Sequence, residues 1–279
     1  MDVHLVDGTF ELFRCFHGAP RASGADGREV GAARGFLATM VALLNDATHV
    51  AVAFDSVLAP PGRPGREAES LIAHQAPLAA EAVRALGLTV WPTGRYQADE
   101  MLATAADRLA ADGSVDRVVI CSTDNDFHQC VRSDRVVVLD RIRDVVTDER
   151  AVRARYGVSP AQLPDLFALV GDHSDGLPGV PGWGVKSSAK LLARYGTLDA
   201  VPADPEAWDI DLRGRDRLAS ALIDRWAEAL LSRDLARLRT DLPLSIDAGD
   251  LEWRGPRRDR LAALADVLGD RSAIDRLNH

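Results

Sequence analysis

Apolar runs that alternate with helical patterns constrain the fold of this chain more than any other feature. Strands are predicted at residues 2–7, 48–55, 88–91, 116–124 and 134–140. Helices are predicted between them at 29–45, 67–87 and 98–111. Strands that alternate with helices are typical of an α/β fold with a mostly parallel sheet, flanked by helices. From about residue 148 onward the strand patterns stop, and short helices with Gly/Pro turns follow.

Three of the predicted strands end in an aspartate. Asp7, Asp55 and Asp124 close the runs DVHLVD, THVAVAFD and DRVVICSTD. The carboxyl ends of parallel strands meet at one edge of a sheet, where ligands bind. Carboxylates gathered there repel one another unless a cation neutralises them. The pattern therefore predicts a divalent cation site, although Asp7-Gly8 taken alone is also a common turn after a strand.

The segment 170–192, VGDHSDGLPGVPGWGVKSSAKLL, carries a second signal. Asp172 and Asp175 are three residues apart, a spacing that suits a hard divalent cation. A Gly/Pro-rich turn follows and leads into a helix with Lys186 and Lys190, the two lysines of the chain. A glycine turn before a helix N-terminus suits a backbone phosphate, because its N–H groups point outward. An ordinary turn between helices is the competing interpretation.

Composition narrows the class of protein. The chain has 279 residues and a formal net charge of −9. A negative net charge by itself argues against binding to nucleic acid. Cations bound by clustered acids reverse the sign of the local charge, so this argument is weak. The three cysteines are too few and too scattered for a disulfide framework or a zinc site. Neither a signal peptide nor a membrane-spanning run is recognised, so a cytoplasmic protein without membrane contact is expected.

In chain order, six segments resemble the 5′-nuclease (flap endonuclease-like) family, in particular the 5′→3′ exonuclease domain of bacterial DNA polymerase I and its stand-alone relatives. They are LVDGTFELFRCFH, VAVAFD, RYQADEMLA, VICSTDNDFHQCV, LVGDHSDGLPGVPGWGVKSSAKLLARYGTLDAV and ALLSRDLARLRTDLPL. Each segment is weak alone, but the ordered set covers nearly the whole chain.

The resemblance implies a PIN-like (Rossmann-like) nuclease core at residues 1–147, with a shortened arch near 56–74. It also implies a helical helix–three-turn–helix DNA-binding region with a C-terminal tail at 148–279. The implied activity is structure-specific 5′→3′ exonuclease or flap endonuclease-like hydrolysis of DNA. The implied substrates are DNA with 5′ ends, nicks or flaps, and a stand-alone form is expected. The oligomeric state cannot be read from the sequence.

The resemblance also assigns site residues. Mg²⁺ or Mn²⁺ at two sites would be held by the acids Asp7, Asp55, Asp99, Glu100, Asp124, Asp126, Asp172 and Asp175. Phosphate contacts would come from Gly179, Val180, Gly182, Gly184, Lys186 and Lys190. Packing is the favoured role for Trp183, and His128 and His173 are not expected to be ligands because hard cations prefer oxygen.

Two departures from the family pattern bear on activity. Gln97 stands where the family has Glu, and an amide carries no charge for a cation. The arch segment lacks Lys, Tyr and Phe. Arg63 is the best stand-in for the catalytic arch arginine and Arg66 for its DNA-binding lysine, since arginine binds phosphate through a fixed fork. A solvated loop is the alternative for both arginines.

Three other functions share parts of this sequence pattern. A DNA-binding paralogue with weak or lost catalysis remains open because of Gln97 and the short arch. A haloacid-dehalogenase-like phosphatase, suggested by VDGT, would need an aspartate two residues before Asp7, where Leu5 stands. A small PIN-type ribonuclease would not need the glycine turn or the region after residue 150.

Overall fold

A computed structural model describes residues 1–55, 67–92, 96–172 and 176–277. The chain divides into two compact units. Unit 1 comprises residues 1–123, 139–144 and 239–279. Unit 2 comprises residues 124–138 and 145–238. The chain therefore leaves unit 1 at Thr123, and its last 41 residues, 239–279, return to it.

Unit 1 contains the parallel strands that the sequence predicts. They are β1 (Asp2–Asp7), β2 (His49–Phe54), β3 (Thr89–Pro92) and β4 (Arg117–Cys121). The strand order is β3-β2-β1-β4, and each of these three pairs is parallel. In the register, Asp7 lies opposite Ala53 and Val6 lies opposite Cys121. The carboxyl ends of β1, β2 and β4 therefore meet at one edge of the sheet.

The helices of unit 1 pack around the sheet and against one another. They are α1 (Gly8–Gly18), α2 (Gly31–Leu43), α3 (Glu67–Ala85), α4 (Ala98–Ala111) and, nearer the C-terminus, α10 (Arg258–Leu268) and α11 (Ser272–Leu277). Val3, Leu5 and Val6 of β1 are fully buried although they point to both faces of the strand. Burial on both faces explains why the strands read as continuous apolar runs rather than alternating ones.

Two further strands follow along the chain. β5 (Val136–Asp140) was predicted, whereas β6 (Val145–Thr147) was not. The two strands are neighbours in the sheet order. β6 has only three residues, and Val145 and Val146 are about half exposed, so it lacks the buried apolar run by which strands are recognised.

Unit 2 is mainly helical. Its helices are α5 (Glu149–Tyr156), α6 (Leu163–Val170), α7 (Val185–Tyr195), α8 (Arg215–Asp224) and α9 (Trp226–Ala236). Their shared core includes Leu169, Leu191 and Leu222, all fully buried. Trp183 is also part of this core, and its indole N–H donates to the Leu218 carbonyl at 3.0 Å. The packing role expected for Trp183 is confirmed.

The α/β architecture followed by a helical region agrees with the sequence-based expectation. The domain boundary expected at 147/148 stays a prediction, because compact packing units do not by themselves define a DNA-binding region. Within the described ranges, the helices are all too short or too polar to span a lipid bilayer.

Candidate functional site

Asp7 lies at the junction of β1 and α1. Its Oδ1 accepts a hydrogen bond from the Phe10 N–H at 2.9 Å, which caps the first turn of α1. Its Oδ2 accepts a longer one, 3.3 Å, from the Ser122 hydroxyl just after β4. The carboxylate is buried and both oxygens are oriented. Asp7 is therefore held rigidly at the carboxyl edge of the sheet.

Asp55 joins three elements of unit 1. Its backbone N–H donates to Thr9 Oγ1 in α1 at 2.8 Å. Its Oδ1 accepts from the Ala98 N–H, the first residue of α4, also at 2.8 Å. A carboxylate at a helix N-terminus is stabilised by the unpaired amides and by the helix dipole. The chain of contacts from Thr9 through Asp55 to Ala98 therefore ties α1, the end of β2 and the start of α4 together.

Asp99 and Glu100 stand in the first turn of α4, half-buried. Asp99 Oδ1 accepts from the Glu100 N–H at 2.6 Å, and Glu100 Oε2 accepts from the Gln97 N–H at 3.3 Å. Gln97 itself is exposed at the N-cap. Both acids thus stabilise the start of α4, where the helix dipole favours negative charge. That role does not exclude cation binding, because a carboxylate has several lone pairs.

Unit 2 gathers three of the predicted acids. Asp124 is its first residue and accepts from the Asp126 N–H at 2.9 Å, capping the 3₁₀ turn Asn125–Cys130. Asp172 exchanges two backbone hydrogen bonds with Leu177, at 3.0 and 2.8 Å. Burial raises the pKa of the Tyr156 phenol, Arg155 lowers it, and the charges of Asp172, Asp126 and Asp124 raise it further. The three negative charges thus add to the effect of burial in disfavouring ionisation of the Tyr156 phenol.

The predicted ligands suit a hard cation by donor chemistry, since all are carboxylates. Throughout the part of the chain that the structure describes, no three His, Cys, Asp or Glu side chains form a group that could hold a metal. Asp175, Arg63 and Arg66 lie outside the described residues, as does His173. Cation binding by the eight acids therefore stays a prediction.

The glycine turn before α7 shows why glycines are needed there. Gly179 has φ +69°, and a Cβ at this position would lie 2.6 Å from the backbone of Val170 and Gly171. The Val180 N–H donates to the Leu169 carbonyl at 2.8 Å, and its side chain is buried. The Val180 N–H is thus already hydrogen-bonded within unit 2. Glycine is required at position 179 because the backbone of Val170 and Gly171 leaves no room for a side chain.

The start of α7 faces solvent. Gly182 has φ +85°, and Gly184 is the N-cap with open space around its Cα. Lys186 and Lys190 are exposed, and Lys190 Nζ donates to the Asp211 carbonyl at 3.3 Å. Exposed lysines beside a helix N-terminus can bind phosphate, and this role stays a prediction.

Several residues that hold the acids were not singled out from the sequence. Thr9 accepts from the Asp55 N–H and Ser122 donates to Asp7, and in both cases the partner is far away in the chain. Local patterns carry no signal for such contacts, because only the fold brings the partners together. His128 was not expected to be a ligand, and it is buried with Nδ1 3.1 Å from the Tyr156 hydroxyl.

Two family models cover the chain almost end to end. Residues 2–157 match the 5′-3′ exonuclease, N-terminal resolvase-like domain. Residues 158–259 match the 5′-3′ exonuclease, C-terminal SAM fold. The chain belongs to the 5′-3′ exonuclease family. The resemblance inferred from the six sequence segments is thereby confirmed.

Individual relatives agree with this assignment. DNA polymerase I of Bacillus caldotenax is 31% identical over 98% of this chain and 32% of that protein. The chain spans about a third of the length of that relative. Two solved structures share the fold of this 5′-3′ exonuclease family member. They are the T5 5′-exonuclease with bound zinc (TM-score 0.65, 18% identity, 99% of this chain and 97% of that one) and the catalytic core of Rad2 with a DNA substrate (TM-score 0.62, 16% identity, 99% and 90%).

Proposed function

We propose that this chain is a structure-specific 5′→3′ exonuclease and flap endonuclease-like enzyme that hydrolyses DNA phosphodiester bonds with divalent cations. The observation that supports it most is the position of Asp55. It follows β2 directly and caps the helix that carries Asp99 and Glu100. Because the chain belongs to the 5′-3′ exonuclease family, acids in these positions are best interpreted as part of a nuclease site.

The eight predicted carboxylates would hold Mg²⁺ or Mn²⁺ directly or through water, at two sites. When bound, such cations lower the pKa of a water and stabilise charge on the scissile phosphate and the leaving oxygen. The T5 5′-exonuclease has been solved with divalent ions, which supports a metal requirement. The protein's own contribution is orientation. Ser122 and Phe10 hold the Asp7 carboxylate, and Ala98 holds that of Asp55.

The proposed partner is DNA with 5′ ends, nicks or flaps. The Rad2 core has been solved with a DNA substrate, which supports a DNA substrate here. Lys186, Lys190, Gly182 and the first-turn amides of α7 that follow Gly184 would contact the phosphate backbone and position the duplex without reading its sequence. Arg63 and Arg66 of the arch segment would hold the 5′ phosphate.

A cytoplasmic location is part of the proposal. Cys15 and Cys121 are buried and form no disulfide. Burial raises the pKa of the Cys121 thiol to about 12, so it is an inert, protonated core residue. Unpaired thiols are typical of a reducing compartment.

A cleavage assay tests the proposed activity. Single-stranded, nicked, 5′-flap and 5′-overhang DNA are incubated with Mg²⁺ or Mn²⁺. Cleavage of the substrates with a free 5′ end is expected, and none with EDTA. The double variant Asp124→Asn with Asp126→Asn should abolish it while retaining the fold, because asparagine keeps the capping acceptor of Asp124. Asp259→Asn with Asp266→Asn, two exposed acids of α10, is the matched control.

One observation favours a second candidate. Gln97 is neutral and exposed at the start of α4, where the family pattern has a glutamate. A DNA-binding paralogue with weak or lost nuclease activity would bind all four substrates in the same assay and cleave none of them with either cation.

A further inference from the structure

Unit 2 contains a buried tyrosine–histidine pair. The Tyr156 hydroxyl is 3.1 Å from His128 Nδ1, and their rings are 5.8 Å apart, centre to centre. Tyr156 is 8% exposed and His128 is 5% exposed. A hydrogen bond shielded from water in this way is costly to leave unmade.

The pair connects two acid-bearing segments, because Tyr156, the last residue of α5, also packs on α6. His128 lies in the 3₁₀ turn Asn125–Cys130, which Asp124 caps and which contains Asp126. The Tyr156 ring packs edge-to-face on Phe167 of α6, with centroids 5.8 Å apart. α6 ends at Val170, two residues before Asp172. The Tyr156–His128 bond therefore connects the turn of Asp124 and Asp126 to the helix that leads to Asp172.

The same 3₁₀ turn is anchored on a second side. The Gln129 amide donates to the Ala236 carbonyl at 2.9 Å and accepts from the Leu238 N–H at 3.0 Å. With Gln129 fixed to the end of α9, the orientation of the turn about that anchor depends on its other contacts. The neighbouring residue His128 supplies one of them through Tyr156.

The Tyr156 ring has one further contact within its own helix. The guanidinium of the preceding residue, Arg155, lies over the ring, 4.9 Å from its centre.

We propose that Tyr156 is a positioning residue. Through His128 it holds the turn with Asp124 and Asp126 in place relative to Asp172, and so sets the affinity of these carboxylates for a divalent cation. The inference rests on the proposed function, because it takes the three acids to be cation ligands. Groups that orient ligands from behind typically change metal affinity about 10- to 100-fold when they are removed.

Calorimetric titration of the metal-free full chain with Mn²⁺, without DNA, tests the inference. Tyr156→Phe removes the hydroxyl and keeps the ring on Phe167. The matched control is Tyr195→Phe, since the Tyr195 hydroxyl accepts a hydrogen bond from the Asp209 N–H at 2.9 Å, also in unit 2. We expect Tyr156→Phe to raise the dissociation constant for Mn²⁺ about tenfold. Tyr195→Phe should leave it unchanged. DNA binding in EDTA should be the same for both variants.

A second variant keeps the test decisive if Tyr156→Phe loses stability. His128→Leu removes the other partner, and the double variant should bind Mn²⁺ no more weakly than either single one, because all three break the same link. Additive losses, or a Tyr156→Phe constant equal to that of Tyr195→Phe, would overturn the positioning role alone. Wild-type protein that binds no Mn²⁺ at all would overturn the proposed function together with it.

Discussion

The Asp55 carboxylate accepts a hydrogen bond from the Ala98 amide at 2.8 Å, so a proposed cation ligand also caps helix α4. That helix carries Asp99 and Glu100 in its first turn. A capping interaction depends on an oxygen acceptor, whereas cation binding depends on negative charge. The two roles of Asp55 can therefore be separated by substitution.

Asp55→Asn should retain an acceptor for the Ala98 amide and lose the charge. We expect its thermal midpoint to stay within a few degrees of wild type while cleavage of a 5′-flap substrate is lost. Asp55→Ala should lose both and unfold about 1 kcal/mol more easily, the usual cost of a lost cap. Thermal unfolding beside the cleavage assay distinguishes them. An active Asp55→Asn would show that the carboxylate is structural only.

Gly179 and Gly184 should respond differently to alanine. Gly179 has φ +69° and no room for a Cβ, 2.6 Å from the Val170 backbone. Gly179→Ala is expected to lower the free energy of unfolding by more than about 2 kcal/mol. Gly184 has φ −140° and open space, so Gly184→Ala should cost less than about 1 kcal/mol. Urea unfolding of both variants measures this. Equal losses would contradict the close approach at Gly179.

Trp183 and Lys186 should separate stability from DNA binding. Trp183 is buried and donates to the Leu218 carbonyl, so Trp183→Phe should reduce the unfolding free energy by about 1–3 kcal/mol. Its DNA affinity below the melting transition should not change. Lys186 is exposed, so Lys186→Ala should keep the stability and weaken DNA binding with a smaller salt dependence. Fluorescence anisotropy at several salt concentrations decides whether Trp183 instead contacts DNA.

The burial of His4 leads us to expect that the stability of the protein depends on pH. Burial lowers its pKa from 6.5, Arg141 lowers it too, and Asp2 and Asp46 raise it. Its buried Nδ1 has no hydrogen-bond partner among the residues described. Between the lowered pKa and 6.5 the unfolded chain binds more protons than the folded one, so stability should fall as the pH drops through this window and then level off.

Urea unfolding in EDTA from pH 8 to pH 4 checks the contribution of His4. Carboxylates and the other histidines titrate in the same range, so the informative quantity is the difference between wild type and His4→Gln. The variant should lose part of the decline below pH 6.5. Identical slopes would mean that His4 titrates alike in both states.

Gln97→Glu addresses the departure from the family pattern. A carboxylate at this N-cap would add charge next to Asp99 and Glu100 and is also compatible with the helix dipole. We expect the Mg²⁺ concentration for half-maximal cleavage to fall several-fold. An unchanged Mg²⁺ titration would place residue 97 outside the cation site.

Much of this protein could be predicted from local pattern. β1, β2 and β4 were recognised because strands buried on both faces leave continuous apolar runs. The glycine turn and Trp183 were also placed correctly, since turn chemistry and a lone large aromatic side chain are local features. β6 escaped because three half-exposed residues leave no periodic signal.

By itself, the sequence determined the α/β fold class and the family and indicated candidate acids, because strand periodicity, turn residues and ordered motifs are properties of neighbouring residues. Only the tertiary structure decided what holds those acids. The contacts from Thr9 to Asp55, Asp55 to Ala98 and Ser122 to Asp7 join residues at least 43 positions apart, and Tyr156 meets His128 across 28. Such hydrogen bonds exist only after the apolar core has packed, so no local pattern encodes them.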